Sequence, residues 1–365
     1  MSQVDTVFFQ HVKRCGTWLY ERRPSWRAFV LAALWLMLID LGLRQLAAWD
    51  LQNDDFVLPW RSSALAPEYA ATLREHDGPV AVMIGDSTLQ RLPHLPDTQT
   101  LPHLIEVRLR ELSGNDKWEV ANFGLSGAHS ADLHNLARLL PDNVDYVVVT
   151  LNYKFLGPLG MKPREIFPEL IPPELADAET KRQVWRRYLH EHWFTLRNGS
   201  WVADRIFGDR PGNWLRRKCS EAAAAVMGEE SAREDRWTPA YINKMRHAMS
   251  VPPLVNGNPA IHQLGEMLLY LNSRGWPTVV YVTPFDWDKV ERFGIAKKWK
   301  VMQHLNHLGL RIERQTGAVF VNLCDIGRSD WFIDMDHLTE TGRRELAEVL
   351  VERVMMRRLP ARNGR

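Results

Sequence analysis

The sequence predicts an α/β fold: a five-stranded parallel sheet covered by helices on both faces, with a helical insertion and an N-terminal transmembrane helix. Three observations predict it. Short, continuously apolar runs alternate with helix-patterned segments in two stretches of the chain, which is the signature of parallel strands buried on both faces. Residues 156–256, lying between those stretches, show no obvious strand. Near the N-terminus one apolar segment approaches the roughly 20 residues that a membrane-spanning helix needs.

The 365 residues suffice for one large domain or two ordinary ones, and 45% hydrophobic with 25% charged content is ordinary for a globular chain with a sizeable core. A formal net charge of +2 gives no overall pull toward nucleic acid, so any basic surface has to be local. Cys15, Cys219 and Cys324 show neither CxxC nor Cys/His spacing, and no zinc site or disulfide framework is indicated. Cys219 and Cys324 can pair only if the fold brings them together.

Phe29 to Leu43 reads FVLAALWLMLIDLGL and continues as RQLAAW to Trp49. Asp40 and Arg44 interrupt it, but they stand one helical turn apart and can pair, and Arg44 is near enough to the end to snorkel. Lys13, Arg14, Arg22, Arg23 and Arg27 precede the segment, whereas Asp50, Asp54 and Asp55 follow it. By the positive-inside rule the N-terminus stays in the cytoplasm and the rest is exported. No small-residue cleavage site follows the apolar core convincingly, which makes this an uncleaved signal anchor. The expected layout is a cytoplasmic tail over 1–27, an anchor over 28–49, and a stalk with a lead-in helix over 50–78. The competing reading is an amphipathic or core helix of a soluble protein.

VAVMIG at 80–85 is the first strand. A helix follows over 100–112, with Leu101, Leu104, Ile105, Val107, Leu109 and Leu112 on its apolar face. WEVANFGLSG (118–127), a helix over 131–140, and VDYVVVTLN (144–152) continue the alternation. It resumes with a helix over 261–274, the strand TVVYVTP (278–284), a helix centred on 299–313, the strand AVFVNL (318–323) and a last helix over 340–356. The insertion opens in a proline-rich loop and reads as mostly helical. Within it, Lys181 to Lys218 holds ten Lys or Arg against three Asp or Glu, interleaved with Trp185, Trp193, Trp201 and Trp214. Such a mixture suits an anionic membrane surface or an anionic polymer, or else a solvated helical face with a tryptophan core.

The first strand stops on Gly85-Asp86-Ser87, and the carboxyl tip of a strand is where an open α/β sheet keeps its active site. Ser87 is a candidate nucleophile, although Asp86 or Ser87 capping a helix is an equal alternative. After the fifth strand stands WFIDMDHLTETG, 331–342, which falls at the same edge of the sheet. Asp334 and His337, three residues apart, can form the carboxylate and imidazole that a hydroxyl nucleophile needs. Asp336 is a competing orienter, though adjacent residues tend to point apart, and Thr339 or an aspartate capping the last helix is the plain alternative. Gly127 after the second strand and Asn152 at the end of the third offer donors for an oxyanion hole, together with the Ser87 N–H. His190 with His192, and His304 with His307, can be drawn as metal-ligand pairs, but no zinc-hydrolase motif accompanies them, so neither a metal nor any other cofactor is expected.

In order along the chain, Gly85-Asp86-Ser87, Gly127, Asn152 and Asp334-Met335-Asp336-His337 resemble the four blocks of the SGNH (GDSL-like) hydrolases. The resemblance covers 79–155 and 260–355, and it implies a flavodoxin-like three-layer sandwich over 79–155 and 257–358, with 156–256 as a cap. It also implies Ser87 as nucleophile, His337 as general base and acid, Asp334 as orienter, and Gly127 with Asn152 as oxyanion donors. The third block departs from the usual Gly-x-Asn-Asp: here it is Thr150-Leu151-Asn152-Tyr153.

The anchor, the insertion and VVYVTPFDWDKVERFG are further similar in layout to the D-alanyl transfer protein D group of teichoic acid operons and to membrane-anchored proteins of exopolysaccharide acylation loci. That likeness implies a bacterial, single-pass inner-membrane protein with its catalytic domain outside the cytoplasm, beside a membrane-bound O-acyltransferase and a glycopolymer substrate. Nucleic acid is not an expected partner of an exported chain. The leading expectation is a serine-dependent O-acyltransferase or esterase working through an acyl-serine. The alternatives are a periplasmic polysaccharide deacetylase and a catalytically silent accessory subunit.

Overall fold

The computed structural model describes residues 26–52, 56–58, 62–90, 100–158, 167, 170, 193–199, 201–202, 237–250 and 257–356. Five strands form one parallel sheet: β1 (Val80–Gly85), β2 (Glu119–Gly124), β3 (Tyr146–Leu151), β4 (Thr278–Val282) and β5 (Val319–Asn322), in the spatial order β2-β1-β3-β4-β5. Every pairing is parallel, with Ile84 level with both Phe123 and Val149, and Leu151 level with Val282. The side chains of β1, β3 and β4 are buried on both faces, which is why these strands read as unbroken apolar runs.

Between β1 and β2 lies α3 (Leu101–Ser113), and between β2 and β3 lies α4 (Ser130–Leu139). A long excursion separates β3 from β4, and α7 (Pro259–Ser273) ends it. α8 (Trp287–Arg292) and α9 (Lys298–Thr316) connect β4 to β5, and α10 (Glu340–Val349) runs on into a π-helical turn over Leu350–Met355. Successive strand residues point to opposite faces. Val80, Val82, Ile84, Val147 and Val149 pack with Leu136 of α4, Leu264 and Leu268 of α7, and Leu305 of α9. Ala81, Met83, Tyr146, Val148 and Tyr281 pack on the other face with Ile105 and Leu109 of α3 and Leu346 of α10. The result is three layers, as the strand and helix alternation predicts. α8 has no counterpart in the sequence reading: its six residues are too few to show a helical period, and the capping of Lys289 N–H by Asp286 starts it.

The described part of 50–78, expected as a stalk, packs against the sheet. Phe56, Leu58, Leu65, Tyr69 and Leu73 are buried, and the Tyr69 ring stacks on Phe123 at 5.0 Å. α2 (Ala66–Thr72) is thus part of the core, with the Tyr69 hydroxyl accepting from Asn122 N–H of β2. Of the insertion, α5 (Phe194–Arg197) and α6 (Pro239–Met249) are described and are helical. Most of the basic, tryptophan-rich stretch 181–218 lies outside the described residues, as do Cys15, Cys219, His190 and His192.

α1 (Trp26–Asp50) contains the one helix among the described residues long and apolar enough to cross a membrane, Val30–Asp50. Leu31, Leu34, Trp35, Leu38 and Ile39 are more than half exposed or nearly so, which is contrary to a core helix of a soluble domain. Its one inward stripe is Asp40, Ala47 and the following Leu51. Arg44 Nε donates to Asp40 at 2.9 Å, the pairing expected from their spacing. The same carboxylate accepts the backbone N–H groups of Thr195 (2.7 Å) and Phe194 (3.4 Å) and the Thr195 hydroxyl (2.7 Å). Asp40 therefore caps the first turn of α5, a role no local pattern announces because its partner is more than 150 residues away. Trp201 Nε1 adds a second tie, to Asp50 at 3.0 Å. Replacing Asp40 by Ala is expected to destabilise the full chain in detergent by about 1–2 kcal/mol. In a double-mutant cycle the loss overlaps with that of Thr195→Ala, and thermal unfolding measures both.

Candidate active site

β1 pairs with β2 on one side and β3 on the other, so the chain order reverses between β1 and β3. The crevice outside the carboxyl ends at such a switch point is where open α/β sheets bind ligands. Ser87 leaves β1 there, and Asn152 leaves β3 beside it.

Gly85 is required by packing. A Cβ at this position would lie 2.7 Å from Thr150 Cβ and 2.8 Å from Leu89 Cδ1. Past Gly85 the chain turns tightly, with Leu89 N–H donating to Asp86 O and Gln90 N–H to Ser87 O. Among the described residues Asp86 caps no helix: 86–90 form a turn, and α3 starts at Leu101 with Thr100 as its cap. Its Oδ1 instead accepts from the Thr88 N–H (3.0 Å) and hydroxyl (2.6 Å), closing an Asx turn that presents Ser87. Gln90 Nε2 donates to Leu58 O and Gly124 O, and Asn122 Nδ2 to Leu89 O, fixing the turn to the neighbouring strand.

The partner loop is a small closed unit. Phe332 and Leu338 bridge antiparallel, Ile333 N–H donates to His337 O at 2.8 Å, and Thr339 N–H to Trp331 O at 2.7 Å. Inside it, Asp334 Oδ1 accepts the N–H groups of Asp336 (3.1 Å) and His337 (3.0 Å). Thr339 caps α10 through Gly342 N–H, so the helix cap and the Asp334–His337 pair coexist.

The structure brings Ser87, His337 and Asp334 into one chain of contacts. His337 Nδ1 lies 3.0 and 2.9 Å from the two Asp334 oxygens, and Ser87 Oγ lies 3.1 Å from His337 Nε2. A carboxylate only accepts, so Nδ1 carries the proton and Nε2 is left to accept from Ser87. Burial disfavours the imidazolium, but Asp334 and Asp336 outweigh it and hold His337 above its ordinary value. Burial also works against the Asp334 carboxylate, and His337 with the two backbone donors more than reverses this, leaving Asp334 well below the usual carboxylate range.

Asp336 is turned away from the role of orienter. Its Oδ1 is 3.7 Å from His337 Nδ1, while its Oδ2 takes the Lys154 ammonium and the Asn152 amide (2.5 Å). Asn152 Nδ2 also donates to Asp86 Oδ2 at 3.1 Å. Both amide hydrogens of Asn152 thus face carboxylates, and to serve as an oxyanion donor it has to release one. Gly127, at φ +84°, is the third residue of a turn closed by Ala128 N–H to Leu125 O, a position that favours glycine. Lys154 has no place in the sequence reading: a lone lysine two residues past a strand carries no signal of burial.

Asp334, Asp336 and His337 bring ligand-type atoms within 4.8 Å of one another, the one group among the described residues that does so. Each is already engaged by protein, and a cation would have to displace the Lys154 ammonium. His304 lies 2.8 Å from the Tyr153 hydroxyl through Nδ1, with His307 exposed beside it on α9. Cys324 also sits at the strand-end edge, but burial first and Asp325 second push its thiol up to about 12, and its sulfur faces Met302, so it is no nucleophile.

No family model and no curated protein matches the sequence. Among solved structures, the chain is similar to a lipase/acylhydrolase from Enterococcus faecalis, at 13% identity and TM-score 0.38, over 76% of this chain and 96% of that one. It is also similar to a catalytic mutant of an acetylxylan esterase from Geobacillus stearothermophilus, at 12% identity and TM-score 0.38, over 76% and 94%. A third is an alpha/beta hydrolase enzyme from the metagenome of Lake Arreo, at 13% identity and TM-score 0.38, over 75% and 94%. Likeness at this level fixes no activity, and the functional reading rests on the residues of the site.

Two outcomes follow from this geometry. Gly85→Ala is expected to cost about 1–3 kcal/mol through overpacking and to displace Ser87, seen as a lowered melting temperature with slowed reaction of Ser87. The Asp334–His337 pair stabilises the fold over a bounded pH range. The depressed Asp334 value makes its contribution present above about pH 4 and lost as pH falls through the folded value; the raised His337 value makes its contribution present below about pH 6.5 and lost as pH rises through the folded value. The difference in melting temperature between the native chain and His337→Gln is therefore expected to be greatest between about pH 4 and 6.5.

Proposed function

We propose that this protein is a membrane-anchored, serine-dependent O-acyltransferase or esterase of the SGNH type, acting on a glycopolymer of the cell envelope through an acyl-Ser87 intermediate. The observation that carries it is the line of contacts from Ser87 Oγ through His337 to Asp334, at 3.1 and 2.9 Å, at the switch point of a parallel sheet. Fold alone would be compatible with a silent accessory. A binding module has no use for a hydroxyl aimed at the acceptor nitrogen of an imidazole whose other nitrogen is held by a carboxylate.

In the proposed reaction Ser87 Oγ attacks the acyl carbonyl as its proton passes to His337 Nε2, and Asp334 stabilises the imidazolium so formed. The imidazolium then gives that proton to the departing alcohol. His337 next takes a proton from the acceptor, a sugar hydroxyl in transfer or water in hydrolysis; the acceptor attacks acyl-Ser87, and as the acyl–Oγ bond breaks His337 returns that proton to Ser87 Oγ. The Ser87 N–H, the Gly127 N–H and an Asn152 amide hydrogen released from Asp86 or Asp336 are the proposed oxyanion donors. α1 supports the transfer reading. With its apolar side chains in a bilayer and the basic N-terminal flank inside, the site works on the outer face of a bacterial inner membrane, where a membrane-bound O-acyltransferase would supply acyl groups.

A fluorophosphonate serine probe on the full chain in detergent tests the nucleophile. Labelling is expected in the native chain, absent from Ser87→Ala, and slowed about 100-fold or more in His337→Ala. A folded native chain that stays unlabelled would favour the accessory reading instead.

A further inference from the structure

We propose that Lys154 is a positioning residue of this site: its ammonium offsets the charge of Asp336, so that Asp334 dominates the field acting on His337. The proposal rests on the serine-dependent reading above and adds a residue that the four resembling blocks do not contain.

Two carboxylates of one loop face the same ring nitrogen. Asp334 holds His337 Nδ1 at 2.9 Å, and Asp336 Oδ1 stands 3.7 Å away. With both charges uncompensated, the imidazole would stay protonated to higher pH and would be a poorer base at a given pH. Lys154 reaches the site from the turn after β3, its ammonium 5.3 Å from the centre of the Phe155 ring and its side chain only 11% exposed. The ammonium lands on Asp336 Oδ2, which is 1% exposed and shared with Asn152. The charged and polar groups around His337 are then Ser87 from the β1 turn, Asp334 and Asp336 from its own loop, and Asn152 and Lys154 from the β3 turn, with Asp86 behind Asn152. Burial works against the Lys154 charge, but Asp336 and then Asp86 outweigh it and hold the ammonium in its charged form. In a poorly solvated site such a pair is kept by its mutual attraction, and a lysine is the compact point charge that fits beside one carboxylate oxygen.

The test is the pH dependence of fluorophosphonate labelling of the full chain in detergent, in four variants whose shifts differ in sign. Lys154→Met is expected to move the acid-side midpoint up by about one pH unit, because the base now faces two carboxylates. Asp336→Asn is expected to move it down, because the unpaired ammonium then faces the imidazole. The double variant is expected to return near the native midpoint, and Lys154→Arg to stay near it. If Lys154→Met slows labelling by the same factor at every pH, or the double variant fails to restore the midpoint, Lys154 is only a packing residue and the proposal is overturned. If Lys154→Met does not fold, an Asp336→Asn midpoint that fails to move down overturns it equally. A native chain that does not label at all defeats the serine reading and not this one. The His337 midpoint is then read by NMR on ¹³C-labelled histidine, assigned with His337→Gln, where an unchanged value in Lys154→Met is the overturning result.

Discussion

Parallel pairing of β1 with both β2 and β3 puts every strand's carboxyl end on one edge, and everything proposed for this chain depends on that edge. Ser87, Asn152 and His337 are far apart in sequence and meet only because β1, β3 and the loop after β5 end together. The pairing demands tight backbone approach between β1 and β3, and Gly85 answers it with the absence of a side chain against Thr150. Gly85, two residues before the serine, is thus a packing requirement, while the Asx turn of Asp86 presents the hydroxyl.

Charge balance is the second constraint. Asp86, Asp334 and Asp336 converge on a partly buried crevice: the Thr88 turn meets the first, His337 the second and Lys154 the third, with Asn152 shared by the first and third. Buried carboxylates are tolerated when hydrogen-bonded and paired in this way. The division of labour also leaves Ser87 facing the acceptor nitrogen of an imidazole whose tautomer Asp334 sets.

What the sequence disclosed followed from how local each signal was. Strands buried on both faces read as VAVMIG, YVVVTL and TVVYV, and the helices between them kept a clear period, so the sheet and its layers were legible. The spacing of Asp334 and His337 was legible for the same reason, since one turn of chain holds both. Less was visible where a residue's role is set by a distant partner. Asn152 reads as a free donor at a strand end, yet its amide bonds two carboxylates, one 66 and the other 184 positions away. Asp40 reads as a flaw in an apolar helix until Thr195 supplies its reason. Phe56, Leu58 and Tyr69 look like scattered apolar residues in a stalk, having neither helical nor strand period, and are part of the core.

Asp40 to Thr195 and Asp50 to Trp201 tie described residues of the insertion to the apolar helix α1. The central claim, however, is covalent chemistry at one hydroxyl. The most direct measurement is peptide mass spectrometry of the full chain after brief reaction with p-nitrophenyl acetate and an acid quench. The account predicts an acetyl ester on the peptide bearing Ser87, absent from Ser87→Ala. Acetyl groups found only on lysine or tyrosine side chains, and unchanged in folded Ser87→Ala, would contradict it.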